Sequence, residues 1–258
     1  MALFQELSQN KLRYLRSLRS ERMRQKYHNF IVEGVKIADE VLRHPQAEVE
    51  LIVAVPEWIE ANRHLLDSLS GKVYVASQKV LSQISLLTTP NMVLCVLKRP
   101  QVELQVEWLH TGITLYLDGV QDPGNLGTIL RTADWFGVRQ VVAGPGTVDP
   151  FNSKVLQAAM GSFLRVRVLH MALDSLHALA PRVPIFGAVL DGQDVATVNL
   201  PRPAILAMGN ESRGLTDQSL RHLHERIRIA AADDHGAESL NVAVATGILL
   251  ALWHYRSS

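Results

Sequence analysis

The chain has 258 residues, 47% of them hydrophobic and 20% charged, with a formal net charge of +1. That apolar content at that length excludes a disordered or fibrous polymer and is enough for two compact units. A near-neutral sum neither demands nor excludes a nucleic-acid partner, which depends on where the positive charge sits.

The first ten residues, Met1-Ala-Leu-Phe-Gln-Glu-Leu-Ser-Gln-Asn10, carry an acid and amides where a signal peptide needs a basic end and an apolar centre. A cytoplasmic protein is therefore expected. Lys11, Arg13, Arg16, Arg19, Arg22, Arg24 and Lys26 follow within sixteen residues that hold one acid, Glu21. Such density suits a helix and turn that meet a phosphate backbone, with Arg13, Arg16, Arg22, Arg24 and Lys26 as candidate RNA contacts. It equally suits a solvated helix face that keeps the protein soluble. Tyr14, Tyr27 and Phe30 are available to stack on unpaired bases, although Phe30 reads better as core.

Short apolar runs at 29–32, 51–55, 73–76 and 93–97 alternate with mixed segments at 35–42 and 78–87, the signature of an α/β domain over residues 1–100. The lone cysteine, Cys95, lies in one of those runs and can neither close an internal disulfide nor complete a multi-thiolate metal site. It reads as a small buried hydrophobe. A polar stretch at 98–107 is the linker. A second block, 108–258, shows strand signals at 113–117, 138–143, 185–190, 204–208 and 226–230 with helices between, which predicts a mostly parallel sheet covered on both faces. The longest apolar stretch, 242–253, is too short to span a bilayer and predicts a buried helix.

Three segments of this block carry chemistry. Asn125-Leu-Gly-Thr-Ile-Leu-Arg131-Thr-Ala133 opens a helix after the turn Asp118-Gly119-Val-Gln-Asp-Pro-Gly124. Its glycines match neither the dinucleotide fingerprint nor a P-loop, which needs Lys-Ser/Thr behind them. Asn125 can cap the helix, contact RNA, or do both. Arg131 can grip a phosphate through two parallel hydrogen bonds, or it is a surface arginine beside a neighbouring carboxylate. Gly209-Asn210-Glu211-Ser-Arg-Gly214 makes a tight loop, and Ser239-Leu240-Asn241 opens the last helix, with Ser239 as its expected cap. A serine hydrolase built on Ser212, Asp233 and His235 fits poorly, because the spacing before Ser212 is one residue too long for a nucleophile elbow. His222-x-His224 and Asp233-Asp-His235 do not make a metal-ligand pattern, and no metal is expected.

In order and content these three segments resemble motifs one, two and three of the SpoU/TrmH family of RNA ribose 2′-O-methyltransferases, of the SPOUT superfamily. Asn29-Phe-Ile-Val-Glu33-Gly34-Val-Lys36 behind the basic helix resembles that family's L30e-like substrate-binding domain. The resemblance implies an L30e-like α/β N-terminal domain, an α/β-knot (trefoil) C-terminal domain and a homodimer. It implies S-adenosyl-L-methionine as cofactor and RNA as substrate, with rRNA preferred over tRNA; a catalytically inactive RNA-binding member of the fold is the other reading. By the same resemblance Arg131 is catalytic, Asn125, Glu211, Ser239 and Asn241 support the centre, and Gly209, Asn210, Ile229 and Leu240 hold the cofactor. A guanidinium scarcely loses its proton, so Arg131 would orient the hydroxyl while an RNA phosphate or Glu211 takes its proton. Two departures stand out: Ile229-Ala-Ala with a longer loop at 231–235 replaces the usual Ile-Pro-Met, and Gln157 and Ala159 replace an arginine and a serine.

Overall fold

The computed structural model describes residues 5–69, 71–87, 89–233 and 236–256; residues 1–4 of the opening segment, and Asp234 and His235 of the lengthened loop, lie outside them. The chain forms two compact units, Met1–Gln101 with Phe151–Leu164, and Val102–Pro150 with Arg165–Ser258.

The first unit is built on strands β1 (Gln5–Glu6), β2 (Asn29–Glu33), β3 (Val49–Ala54), β4 (Val73–Val75) and β5 (Val93–Lys98). They form one sheet in the order β1-β4-β3-β5-β2, in which β5 runs antiparallel to β2 and β3 and the remaining pairs are parallel. Its helices are α1 (Gln9–Ser17), α2 (Glu21–Tyr27), α3 (Val35–Arg43), α4 (Pro56–Ala61), α5 (Arg63–Leu66) and α6 (Gln78–Ile84). The four apolar runs become β2 to β5. They lack alternation because β3 and β5 are buried on both faces. Two-residue β1 is too short to show a pattern.

The rest of the chain holds β6 (Ile113–Asp118), β7 (Gln140–Ala143), β8 (Arg167–His170), β9 (Ile185–Asp194), β10 (Ala204–Gly209) and β11 (Glu225–Arg228). Its helices are α7 (Val106–Leu109), α8 (Pro123–Trp135), α9 (Ser153–Ala159), α10 (Leu173–Leu179), α11 (Asp217–Leu220) and α12 (Val242–Arg256). The six strands make a wholly parallel sheet in the order β11-β9-β10-β6-β7-β8. Strand β8 escaped the sequence pattern because two of its four residues, Arg167 and His170, are polar. Strand β9 outruns its expected end at 190, and a register shift against β11 accommodates the excess. Among the described residues no helix is long and apolar enough to cross a membrane.

The sequence rhythm put residues 151–164 in the second block, but they group with the first unit. Packing explains the correction. Leu156 of α9 is 2% exposed within the first core, and the rings of Phe151 and Phe163 lie 4.6 and 5.9 Å from that of Phe30, itself buried. Phe30 is thus core and has no face left for a base. Leu156→Ala removes the centre of this contact and should cost about 2–5 kcal/mol in chemical denaturation. Burial pushes the Cys95 thiol up to about 12, so a thiol reagent at pH 8 should react only after denaturant is added.

Candidate active site

Parallel pairing sets the ends of β6 and β10 side by side, with Asp118 opposite Gly209. Beyond β6 the chain turns through Gly119, whose φ of +74° favours glycine, and reaches Asp122. The Asp122 carboxylate caps α8 by accepting from the Asn125 N–H at 2.7 Å, and Pro123 fills the first helical position. The cap is therefore Asp122 and not Asn125, whose amide is left free to reach across. The Asp-Pro pair carried that signal in the sequence.

Beyond β10, a Cβ on Gly209 would stand 2.3 Å from the backbone carbon of Gly214, so no other residue fits there. Two hydrogen bonds between the backbones of Asn210 and Gly214 close the loop. The Asn210 side chain accepts from the N–H groups of Ser212 and Arg213 and donates to the Gly119 carbonyl at 2.7 Å. The Asn210 backbone and side-chain oxygen thus close the loop, and its side-chain amide ties the loop to the turn after β6. The same bonds take the N–H groups at Ser212 and Arg213 that an oxyanion would need, which removes the hydrolase alternative.

Glu211 then gathers the three segments. Its carboxylate accepts from the N–H groups of Gln121 and Asp122 at 3.3 and 3.2 Å, and from the side-chain amides of Asn125 and Asn210 at 3.0 and 3.3 Å. The Asn125 carbonyl oxygen accepts from the Asn241 amide at 2.8 Å, across 116 residues of chain. Asn241 in turn caps α12 by accepting from the N–H groups of Ala243 and Val244. Ser239, expected as that cap, is exposed and makes no hydrogen bond among the described residues. Below this chain sits Asp118, which sequence reasoning passed over: it is 4% exposed and accepts from both the N–H and the hydroxyl of Thr216, at 2.7 and 2.9 Å.

Burial pushes the Glu211 carboxyl up, but the Asn125 amide and the N–H groups around it outweigh burial and hold it below its ordinary value. With donors on both oxygens it is a poor proton acceptor.

Arg131 projects from the exposed side of α8 and makes no hydrogen bond or ion pair among the described residues. The carboxylate one turn on, Asp134, is occupied by Arg165 at 2.8 Å. The reading of Arg131 as a surface partner of a neighbouring acid is thereby lost.

Gly209 is buried at the end of its strand, Ile229 is half-buried just past β11, and Leu240 is 49% exposed beside Asn241. Neither Ile229 nor Leu240 makes a backbone hydrogen bond among the described residues.

In the first unit the basic segment divides. Arg24 is 5% exposed and donates to the carbonyls of Leu18 and Arg19, so it is a structural residue and is withdrawn as an RNA contact. Arg16 holds Gln83 through two bonds, and Arg19 holds the carbonyls of Gln83 and Ser85. Arg13 and Arg22 are exposed and unpaired among the described residues, and Lys26 lies over the Tyr27 ring at 5.7 Å. Tyr14 packs edge-on against Tyr27 and accepts from the Asn29 amide at 2.6 Å. Ala159, at one of the departures, is fully buried. Among the described residues no group of three or more His, Cys, Asp or Glu is placed to hold a metal ion.

Residues 112–251 match the SpoU rRNA Methylase family, and residues 9–95 match the MRM3-like substrate binding domain. The chain belongs to the SpoU rRNA methylase family. It is 31% identical to the Bacillus subtilis 23S rRNA (guanosine(2553)-2′-O)-methyltransferase RlmP, over 99% of this chain and 100% of that one. The Neisseria meningitidis 23S rRNA (guanosine-2′-O-)-methyltransferase RlmB is 28% identical over 81% of this chain and 87% of that family member. A TrmH-family structure from Porphyromonas gingivalis superposes with a TM-score of 0.87 at 39% identity, covering 97% of this chain and 99% of that one. An AdoMet-bound rRNA methyltransferase from Sinorhizobium meliloti gives 0.85 at 28% identity, with 97% and 96% covered. The SpoU match covers most of the second unit together with residues 151–164, which pack with the first.

Because the folded pKa of Glu211 is depressed, its contribution to stability is complete above the unfolded value and is lost as pH falls through the folded one. Glu211→Gln, which turns an acceptor into a donor at a solvent-accessible carboxylate, should lower stability at neutral pH by about 0.5–1.5 kcal/mol. It should also flatten the acid limb of a melting-temperature profile against pH.

Proposed function

We propose that this protein transfers a methyl group from S-adenosyl-L-methionine to the 2′-hydroxyl of a ribose in 23S ribosomal RNA, at a guanosine, in the cytoplasm. The joining of three distant segments through Asn125, Glu211 and Asn241, with an unpaired Arg131 further along α8, carries the reading. Support for the nucleotide comes from the two relatives, both of which act on a guanosine of 23S rRNA.

The residues present fit the cofactor. Ile229 and Leu240 would take its purine, and the Gly209 backbone would take the ribose at the strand end. When bound, the cofactor supplies a methyl group on a sulfonium whose charge already activates the leaving group. Everything else is position and electrostatics, which this chain provides. Arg131 grips the phosphate next to the target ribose through its planar fork and lowers the cost of charge on the 2′-oxygen as that oxygen attacks. Glu211 has no free donor-accepting position of its own and stays ionised, so it holds the loops in register. That leaves the RNA phosphate as the proton acceptor.

A homodimer is part of the same proposal. Helices α8 and α12 pack closely at Gly247 against Thr132. Outward they expose Trp135 at 84%, Val244 at 52%, Ile248 at 36% and Tyr255 at 77%. Val244, Ile248 and Tyr255 share one stripe of α12 by helical spacing, and such a face on a monomer needs a cover.

Arg131→Lys keeps the charge and loses the fork. It should lower kcat by roughly 10²-fold while leaving cofactor affinity unchanged, read by transfer of labelled methyl to 23S rRNA. Full-rate methylation by that variant would remove Arg131 from the centre. Methylation of tRNA and not rRNA, or cofactor binding without transfer, would move the substrate or make the chain a binder only. Trp135→Glu should shift the protein from dimer to monomer in light scattering.

A further inference from the structure

The second unit carries a cationic and aromatic cluster at the edge of the sheet opposite the site. Asp118 and Gly209 end β6 and β10, whereas Arg139 immediately precedes β7 and Arg167 begins β8. All strands are parallel, so the two edges stand roughly 15–20 Å apart. The Arg139 and Arg167 guanidinium carbons lie 5.5 and 4.8 Å from the centre of the Trp108 ring.

The framework that brings them together is rigid. The Arg167 N–H donates to the Arg139 carbonyl at 2.9 Å, and Gln140 pairs with Arg167 across the strands. Gln140, 1% exposed, accepts from the Gln105 N–H and donates to the Gln105 carbonyl and the Thr114 hydroxyl. It thereby pins the residue that starts α7, and α7 carries Trp108. Neither guanidinium has a carboxylate or carbonyl partner among the described residues, although Glu107 adjoins Trp108 in the chain. Arg165, two residues before Arg167, does have one in Asp134.

Two like charges drawn to one ring without a counter-ion form a site for an external anion with a flat partner. We propose that Arg139, Trp108 and Arg167 form an accessory contact for a single-stranded segment of the RNA substrate, whose phosphates meet the two forks and whose base stacks on the exposed Arg139 plane beside the half-buried Trp108 ring. A strand with planar bases fits better than an acidic peptide, because both kinds of group in the cluster are planar. The proposal rests on the reading of this protein as an RNA methyltransferase.

The test is the steady-state kinetics of the full chain on a 23S rRNA fragment, comparing the parent with Arg139→Gln/Arg167→Gln and Arg139→Lys/Arg167→Lys. The glutamine pair should raise KM for RNA on the order of tenfold with kcat and cofactor Kd unchanged, and should lower the slope of log KM against log salt by about 1.4, roughly 0.7 for each phosphate contact to a single strand. The lysine pair, keeping charge without the fork, should fall between. An unchanged KM and salt slope in the glutamine variant, with the parent methylating normally, overturns the accessory contact alone. A parent chain that neither binds nor methylates rRNA overturns both readings.

Discussion

Everything at the site depends on one hydrogen-bonded chain, from the Asn241 amide to the Asn125 carbonyl and from the Asn125 amide to the Glu211 carboxylate. Each link is made by a side chain that also holds its own segment: Asn241 caps α12, Asn125 sits in the capped first turn of α8, and Glu211 receives backbone N–H groups of the turn before it. The segments cannot shift independently. Hydrogen bonds to an ionised acceptor are about twice as strong as neutral ones, so a carboxylate is a better hub than a third amide would be. Rigidity is what a methyl transfer needs, since the donor is already activated and the rate depends on alignment.

The arginines show how charge is allotted. Arg16, Arg19 and Arg24 hold backbone carbonyls or an amide, and Arg165 holds Asp134; these are parts of the fold. Arg13, Arg22 and Arg131 are exposed with no such partner among the described residues. A free guanidinium is an unspent set of five donors, and where several occur in a protein of net charge +1 they mark surfaces meant for anions.

Much was legible along the chain. Apolar runs, and for β11 the alternation Arg226-Ile-Arg-Ile229, located nine of the eleven strands among the described residues, most of them buried along their length. Glycine turns and capping residues marked the three segments locally, while the roles of Arg131, Asn125, Glu211 and Asn241 came from the resemblance of those segments to the SpoU/TrmH motifs. The strands that escaped were the two whose own residues carry no such signature, the two-residue β1 and the half-polar β8.

By itself, then, the sequence determined the α/β class of each block, through short-range periodicity and turn signals, and, through its resemblance to a family, the order of the motifs and the residues assigned to the chemistry. Only the tertiary structure decided that residues 151–164 pack with the first unit, that Asn241 rather than Ser239 caps α12, that Asn210 closes its own loop and that Arg24 is buried. The reason is the same in each case. A polar side chain offers the same donors and acceptors wherever it occurs, and which neighbour takes them is settled by contacts between segments far apart in the chain.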